Sequence, residues 1–176
     1  STCATPVSGI DWYPTLLDLC GIEPPKEQAV DGVSLVPLLK SGEIEDRPLY
    51  WHYPHYGNQG GEPSSIIMEG DWKLIHYHED GRNELYDLSS DPGERNDLLA
   101  KETKRSRRMG RKLDSWLKET KATFPTENPN FDPAKREARW NDLRTNRKER
   151  LEKQHADFVR PDYRPNQDWW GSSAAD

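Results

Sequence analysis

His52 and His55 flank Tyr53-Pro54 and lead into a loop that carries Tyr56, Asn58 and Gln59. An imidazole donates to an oxyanion or a hydroxyl, side-chain amides read hydroxyls, and a tyrosine ring offers an apolar face to a sugar. These five residues are the candidate substrate-binding set. His52 should point away from Tyr53 on a strand, but Pro54 interrupts the alternation and makes a face shared with His55 possible. His76 and His78 have the i, i+2 spacing some zinc ligands use, yet no third ligand lies near them, so they read as solvated residues approaching a turn. Lys73 reads as a strand lysine reaching for the sheet edge. Cys3 and Cys20 define no disulfide framework. The carboxylates are spread over turns and helices rather than set at metal-ligand spacing. No catalytic residue and no metal ligand is assigned.

The elements that must position these groups follow from pattern. Val7–Ile22 predicts a helix with Ser8 and Asp11 as candidate caps, Pro14 in its opening turn and Gly21 at its C-terminus. Asp31-Gly32-Val33-Ser34 reads as a turn before a short apolar run, Leu35 to Leu39. Leu49–Tyr53 is a strong strand broken by Pro54. Ile66–His76 and Glu84–Leu88 read as a hairpin around Glu79-Asp80-Gly81, and three or four antiparallel strands fit in all. Between residues 101 and 121, Met109, Leu113, Trp116 and Leu117 make one apolar stripe, which predicts a helix lying across the sheet. Phe124–Pro133 holds three prolines and reads as an extended linker. Ala134–Val159 reads as a second, mostly charged helix, followed by a tail with Trp169-Trp170.

In 176 residues, apolar and charged side chains each make up 32%, and mean hydropathy is −1.07. That is little apolar area to offset the entropy of ordering such a length. Seven tryptophans and seven tyrosines argue equally against disorder. The expectation is a small core, a polar tail and surfaces made to dock on something else. Leu16, Leu17, Leu19, Leu35 and Leu38 have no matching core in the chain and should form an exposed patch. The net charge of −6 gives no push toward nucleic acid. The helix over residues 101–121 is locally basic, read here as a solvated outer face. No run approaches the ~20 apolar residues of a membrane span. The chain opens on Ser with nothing like a signal peptide, so its start reads as a cut point.

Five motifs occur in order: Asp11-Trp12-Tyr13-Pro14-Thr15-Leu16-Leu17-Asp18-Leu19, Asp31-Gly32-Val33-Ser34-Leu35 with Pro37-Leu38-Leu39, Gly70-Asp71-Trp72-Lys73-Leu74-Ile75, Glu84-Leu85-Tyr86-Asp87-Leu88, and Asp91-Pro92-Gly93-Glu94 with Asn96. Together they resemble the C-terminal part of a formylglycine-dependent sulfatase of the arylsulfatase family. Tyr53-Pro54-His55-Tyr56 is similar to the bacterial branch that desulfates polysaccharides. Met68 departs from the arginine that such relatives often carry before the Gly-Asp pair.

The resemblance implies an α+β sulfatase C-terminal subdomain. A small antiparallel sheet covered by a helix would follow a helix severed from an alkaline-phosphatase-like α/β catalytic domain. The implied organisation is the end of that domain in residues 1–45, the sheet-plus-helix subdomain in 46–122, and linker, charged helix and tail in 123–176. The full enzyme would hydrolyse sulfate esters of a sulfated glycan with calcium and formylglycine, in the periplasm or outside the cell. Neither cysteine lies in the family's C-x-P-S-R motif, so this segment would supply pocket residues and be inactive alone, with the N-terminal catalytic domain as its partner. Alternatives are a phosphodiesterase or phosphonate hydrolase of the same superfold, or a stand-alone glycan-binding module.

Overall fold

The computed structural model describes residues 2–57 and 61–163. The chain divides into two compact units, Ser1–Thr126 and Glu127–Asp176. The residues expected to end another domain, 1–45, lie in the same unit as the sheet.

Helix α1, Trp12–Leu19, is entered through a single 3-10 turn, Gly9–Asp11. Ser8 and Asp11 form a reciprocal capping box. The C-terminus closes as expected of Gly21: with this residue at positive φ, the Ile22 N–H reaches the Leu17 carbonyl and the Gly21 N–H the Asp18 carbonyl. Asp11 is fully buried and accepts from the Ser8 amide (2.8 Å), the Val33 amide (3.0 Å) and the Arg47 guanidinium. Burial alone would raise its pKa, but those donors outweigh it and hold the carboxyl below its usual range. Gly32 is forced by proximity, because a Cβ there would sit 2.2 Å from the Ile10 carbonyl oxygen. The turn at residues 31–34 is thereby clamped onto α1 and leads into the one-turn helix α2, Val36–Leu39.

The sheet has strands β1 (Leu49–Tyr53), β2 (Ser64–Glu69), β3 (Trp72–Tyr77) and β4 (Asn83–Asp87), antiparallel and in that order. One expectation is corrected here. The run from Ile66 to His76 is two strands, not one, because Gly70-Asp71 forms a two-residue turn with Gly70 at positive φ and Glu69 opposite Trp72. Register converts strand alternation into rows across the sheet. Tyr50, Ile67, Leu74 and Leu85 stand opposite one another in one row, and His52, Ser65, His76 and Asn83 in the next row on the same face.

Helix α3, Thr103–Glu119, covers the apolar row. Met109, Leu113 and Leu117 join Ile67, Leu74 and Leu85 in one buried cluster, with Trp116 and Tyr50 packed against it. Gly110 stands off the stripe with open space around it. At the far edge, the Leu98 N–H donates to the Leu85 carbonyl and Asp97 accepts from the Leu85 N–H, so β4 is not left bare. Asp91 accepts from the amides of Arg95 and Asn96, and Lys73 pairs with Glu94, which ties the Asp-Pro-Gly-Glu loop to β3. Lys73 thus has a carboxylate partner.

The second unit is helical through α4 (Pro133–Asp142), a π-turn segment (Leu143–Arg147) and α5 (Lys148–Phe158). Asp132 caps α4 by accepting from the Ala134 amide at 3.0 Å, with Pro133 at the first helical position. Neither α4 nor α5 contains a buried residue. Trp169 and Trp170 lie outside the described residues.

Candidate functional site

β1 ends because Pro54 has no N–H to continue the ladder. Beyond it, His55 is exposed and its ring stands edge-on to that of Tyr53, centroids 5.5 Å apart. The exposed Tyr56 donates its hydroxyl to Glu79 at 2.7 Å, which joins this loop to the β3–β4 turn. Arg82 secures that turn: it lies 3.6 Å over the centre of the Tyr77 ring and pairs with Glu62, Asp80 and Glu84. The Gly57 amide reaches the Gly61 carbonyl across the loop. Asn58 and Gln59 lie outside the described residues. Tyr53, His55 and Tyr56 therefore make an exposed aromatic and imidazole surface beside a carboxylate. A carboxylate repels a sulfate and accepts from a hydroxyl, so the Tyr56 end suits the uncharged part of a sugar.

His52 lies elsewhere. Its Nδ1 is 2.7 Å from Ser65 Oγ and its Nε2 2.7 Å from the Thr123 carbonyl. Ser65 is fully buried, and its hydroxyl is also 2.8 Å from Nε2 of His78. Chemistry fixes the protons in the neutral state. A carbonyl only accepts, so His52 Nε2 carries a hydrogen and Nδ1 accepts from the Ser65 hydroxyl, whose oxygen then accepts from His78 Nε2–H. Phe124 closes over the row, edge-on to both His52 and His78 at 5.6 and 5.3 Å. Burial pushes the His78 pKa down, and His76 and His52 beside it push the same way.

The structure thus groups His55 with Tyr53 and Tyr56, and places His52 in a separate hydrogen-bonded row that shares no partner with His55 among the described residues. His78 is corrected: it is half-buried and bonded to Ser65, not solvated, while His76 faces Asn83 Oδ1 at 2.9 Å. Sequence reasoning passed over Ser65, Thr123 and Phe124. Register marks Ser65, since it is opposite both His52 and His76. Thr123 and Phe124 carry no local signal. Among the described residues no three His, Cys, Asp or Glu side chains are placed to hold a metal ion, and both cysteines are exposed in neither maturation motif. The described residues do not by themselves build a calcium or formylglycine site.

Comparison with known proteins gives a consistent picture. Residues 2–123 match the family described as N-sulphoglucosamine sulphohydrolase, C-terminal, a match that stops close to the boundary between the two units. A sulfatase of Formosa agariphila is 35% identical over 126 residues, 63% of this chain and 23% of the relative. A Delta 4,5-hexuronate-2-O-sulfatase of Bacteroides thetaiotaomicron is 33% identical over 131 residues, 70% of this chain and 26% of the relative. Among solved structures, a protein in complex with its substrate D-glucosamine-2-N,6-O-disulfate shares a TM-score of 0.55 at 31% identity, covering 65% of this chain and 24% of that one. A 2-O GAG sulfatase shares 0.55 at 30% identity, covering 70% and 27%. The chain spans about a quarter of the length of the relatives it matches.

Proposed function

From a chain that belongs to the N-sulphoglucosamine sulphohydrolase C-terminal family, we propose the C-terminal portion of a sulfatase that cleaves sulfate esters of a sulfated glycan. The segment shapes the substrate pocket, and the nucleophile and calcium belong to an N-terminal domain upstream of it. One observation carries this reading beyond the family match: the opening helices display apolar surface left exposed among the described residues of the first unit. Leu16, Leu19 and Leu39 are 56%, 57% and 69% exposed, with Ile10, Trp12 and Ile22 exposed beside them. Leu17, Leu35 and Leu38 are half-buried. So much exposed apolar side chain on neighbouring elements marks an interface, and the occupant that fits is the large domain that accounts for the rest of the relatives' length.

In this reading His55, Tyr56, Asn58 and Gln59 are substrate-binding residues. His52 acts on it indirectly, by holding the end of β1 in place. Sulfated sugars named for the relatives, hexuronate and glucosamine, set the substrate class. No helix among the described residues is long and apolar enough to cross a membrane, and a periplasmic or secreted location suits a polymeric substrate. The test is sulfate release from sulfated glycosaminoglycans by the full-length protein encoded in frame with this segment. Release of sulfate supports the proposal. Hydrolysis of phosphodiesters without sulfate release would overturn it in favour of the related hydrolase chemistry, and binding without any hydrolysis in favour of a glycan-binding module.

A further inference from the structure

A cleft of about 490 Å³ runs between α3 and the edge strand β1, and it shares no lining residue with the His55 loop. Its wall is the stacked pair Tyr50 and Trp116, with ring centroids 4.8 Å apart and planes within 6°. Its rim is one side of α3, where Arg108, Arg111, Lys112 and Ser115 follow at helical spacing. From residue 108 to residue 119 the rim extends about 16 Å at the helical rise, enough for several groups along a chain.

Charge decides what such a cleft attracts. Glu69 on β2 accepts from both Arg108 and Lys112. One carboxylate cannot use all the donors of a guanidinium and an ammonium, so N–H groups of both remain for a ligand. Arg111 makes no ion pair with any described residue. Glu119 closes one end of the lining. Three cations against Glu69 and Glu119 leave a positive charge over. Burial pushes the Tyr50 pKa up, so its phenol stays neutral and the aromatic wall stays uncharged near neutral pH. A neutral aromatic wall suits the C–H face of a pyranose, and spaced cations suit charged groups along a chain.

We infer that the cleft between α3 and β1 binds a sulfated polysaccharide chain, with Tyr50 and Trp116 against sugar rings and Arg108, Arg111 and Lys112 on sulfate groups. The choice of a sulfated glycan rests on the substrate class proposed above. The test uses the full-length protein with dextran sulfate, unsulfated dextran and polyglutamate as probes, measured by calorimetry. Dextran sulfate should bind, and unsulfated dextran at least about tenfold more weakly. Arg111→Glu changes an exposed side chain that has no ion-pair partner among the described residues and should weaken dextran sulfate binding by about tenfold or more, the loss of a charge-assisted contact plus a new repulsion. Lys153→Glu, the same charge change on α5, should leave binding as it is. Equal losses in the two variants, or none in Arg111→Glu, would overturn the proposal, as would polyglutamate binding as tightly as dextran sulfate. Sulfate release by the unaltered protein separates the two readings. If release is absent while Arg111-dependent binding persists, the sulfatase reading falls and the cleft stands. If release is present and Arg111→Glu is silent, the cleft falls alone.

Discussion

His55 is the residue on which the pocket reading turns, because it is exposed, joined to Tyr53 only through a ring contact, and one residue from a tyrosine oriented by Glu79. Under the proposed function its contribution would be positional, with the reacting groups in an upstream domain. His55→Ala should remove a polar contact worth about 1–3 kcal/mol and lower kcat/KM on a sulfated glycan by roughly tenfold to a hundredfold. A small aryl sulfate lacks most of the sugar hydroxyls and should lose much less. Equal losses on the two substrates would place the contact on the sulfate, and no loss on either would remove His55 from the pocket. His78 makes a different, pH-dependent case. Its pKa is lowered in the fold, so the folded state favours the neutral ring and the unfolded chain binds the proton more readily. The stability it contributes is present above the ordinary histidine value, about 6.5, and is lost as pH falls through the lower folded value. The urea midpoint should therefore drop on acidification from about pH 7 toward 5, and His78→Gln, which keeps a donor for Ser65, should flatten that part of the profile. Identical profiles would mean that His78 does not carry the acid-side loss of stability.

At the scale of elements, the two helical regions differ in what they bury. Leu113 is 1% exposed against Ile67, Leu74 and Leu85, so Leu113→Ala should cost about 2–5 kcal/mol, read as a lowered unfolding midpoint. Leu151 on α5 is 47% exposed, and Leu151→Ala should shift the midpoint by no more than about 0.5 kcal/mol. A large effect at Leu151 would mean that α5 packs on something its own unit does not supply. The same contrast explains how much of the fold was legible. The α3 stripe and β1 were readable because their apolar periods are regular and their ends carry Pro, Gly or polar turns. The Gly70-Asp71 turn was masked by strand-forming residues on both sides, although the dipeptide itself is a turn signal. The histidine row was half legible. His52 and His78 stand out by type, but the two residues that fix their protons are contributed from 13 and 71 positions away from His52. No local pattern encodes a contact of that range.

For the molecule as a whole, the exposed leucines and the absent nucleophile make one prediction with two readouts. The isolated chain should bury the α1 and α2 surface against other copies and sediment above monomer mass. It should also show no sulfatase turnover on an aryl sulfate, with or without calcium. A well-behaved monomer would mean that the opening helices need no cover and would count against the upstream domain as their occupant. Turnover that survives replacement of both Cys3 and Cys20 would set aside the formylglycine chemistry for this protein. Residues 127–163 stand apart in this respect, because their helices bury nothing and the family match has already ended before them.

The order of the strands leaves the sheet two borders, and they are finished differently. Beyond β4, Asp97 and Leu98 occupy the backbone groups of Leu85 that a further strand would use. Beyond β1 no strand among the described residues pairs, but Pro48 and Pro54 bracket the five residues of the ladder. Proline offers no amide to a new neighbour, so any strand that adds at this side finds a short template with a stop at each end. The sheet therefore resists growing into a fibre by edge-to-edge polymerisation, a hazard that a four-stranded antiparallel sheet rich in β-branched and aromatic residues would otherwise carry.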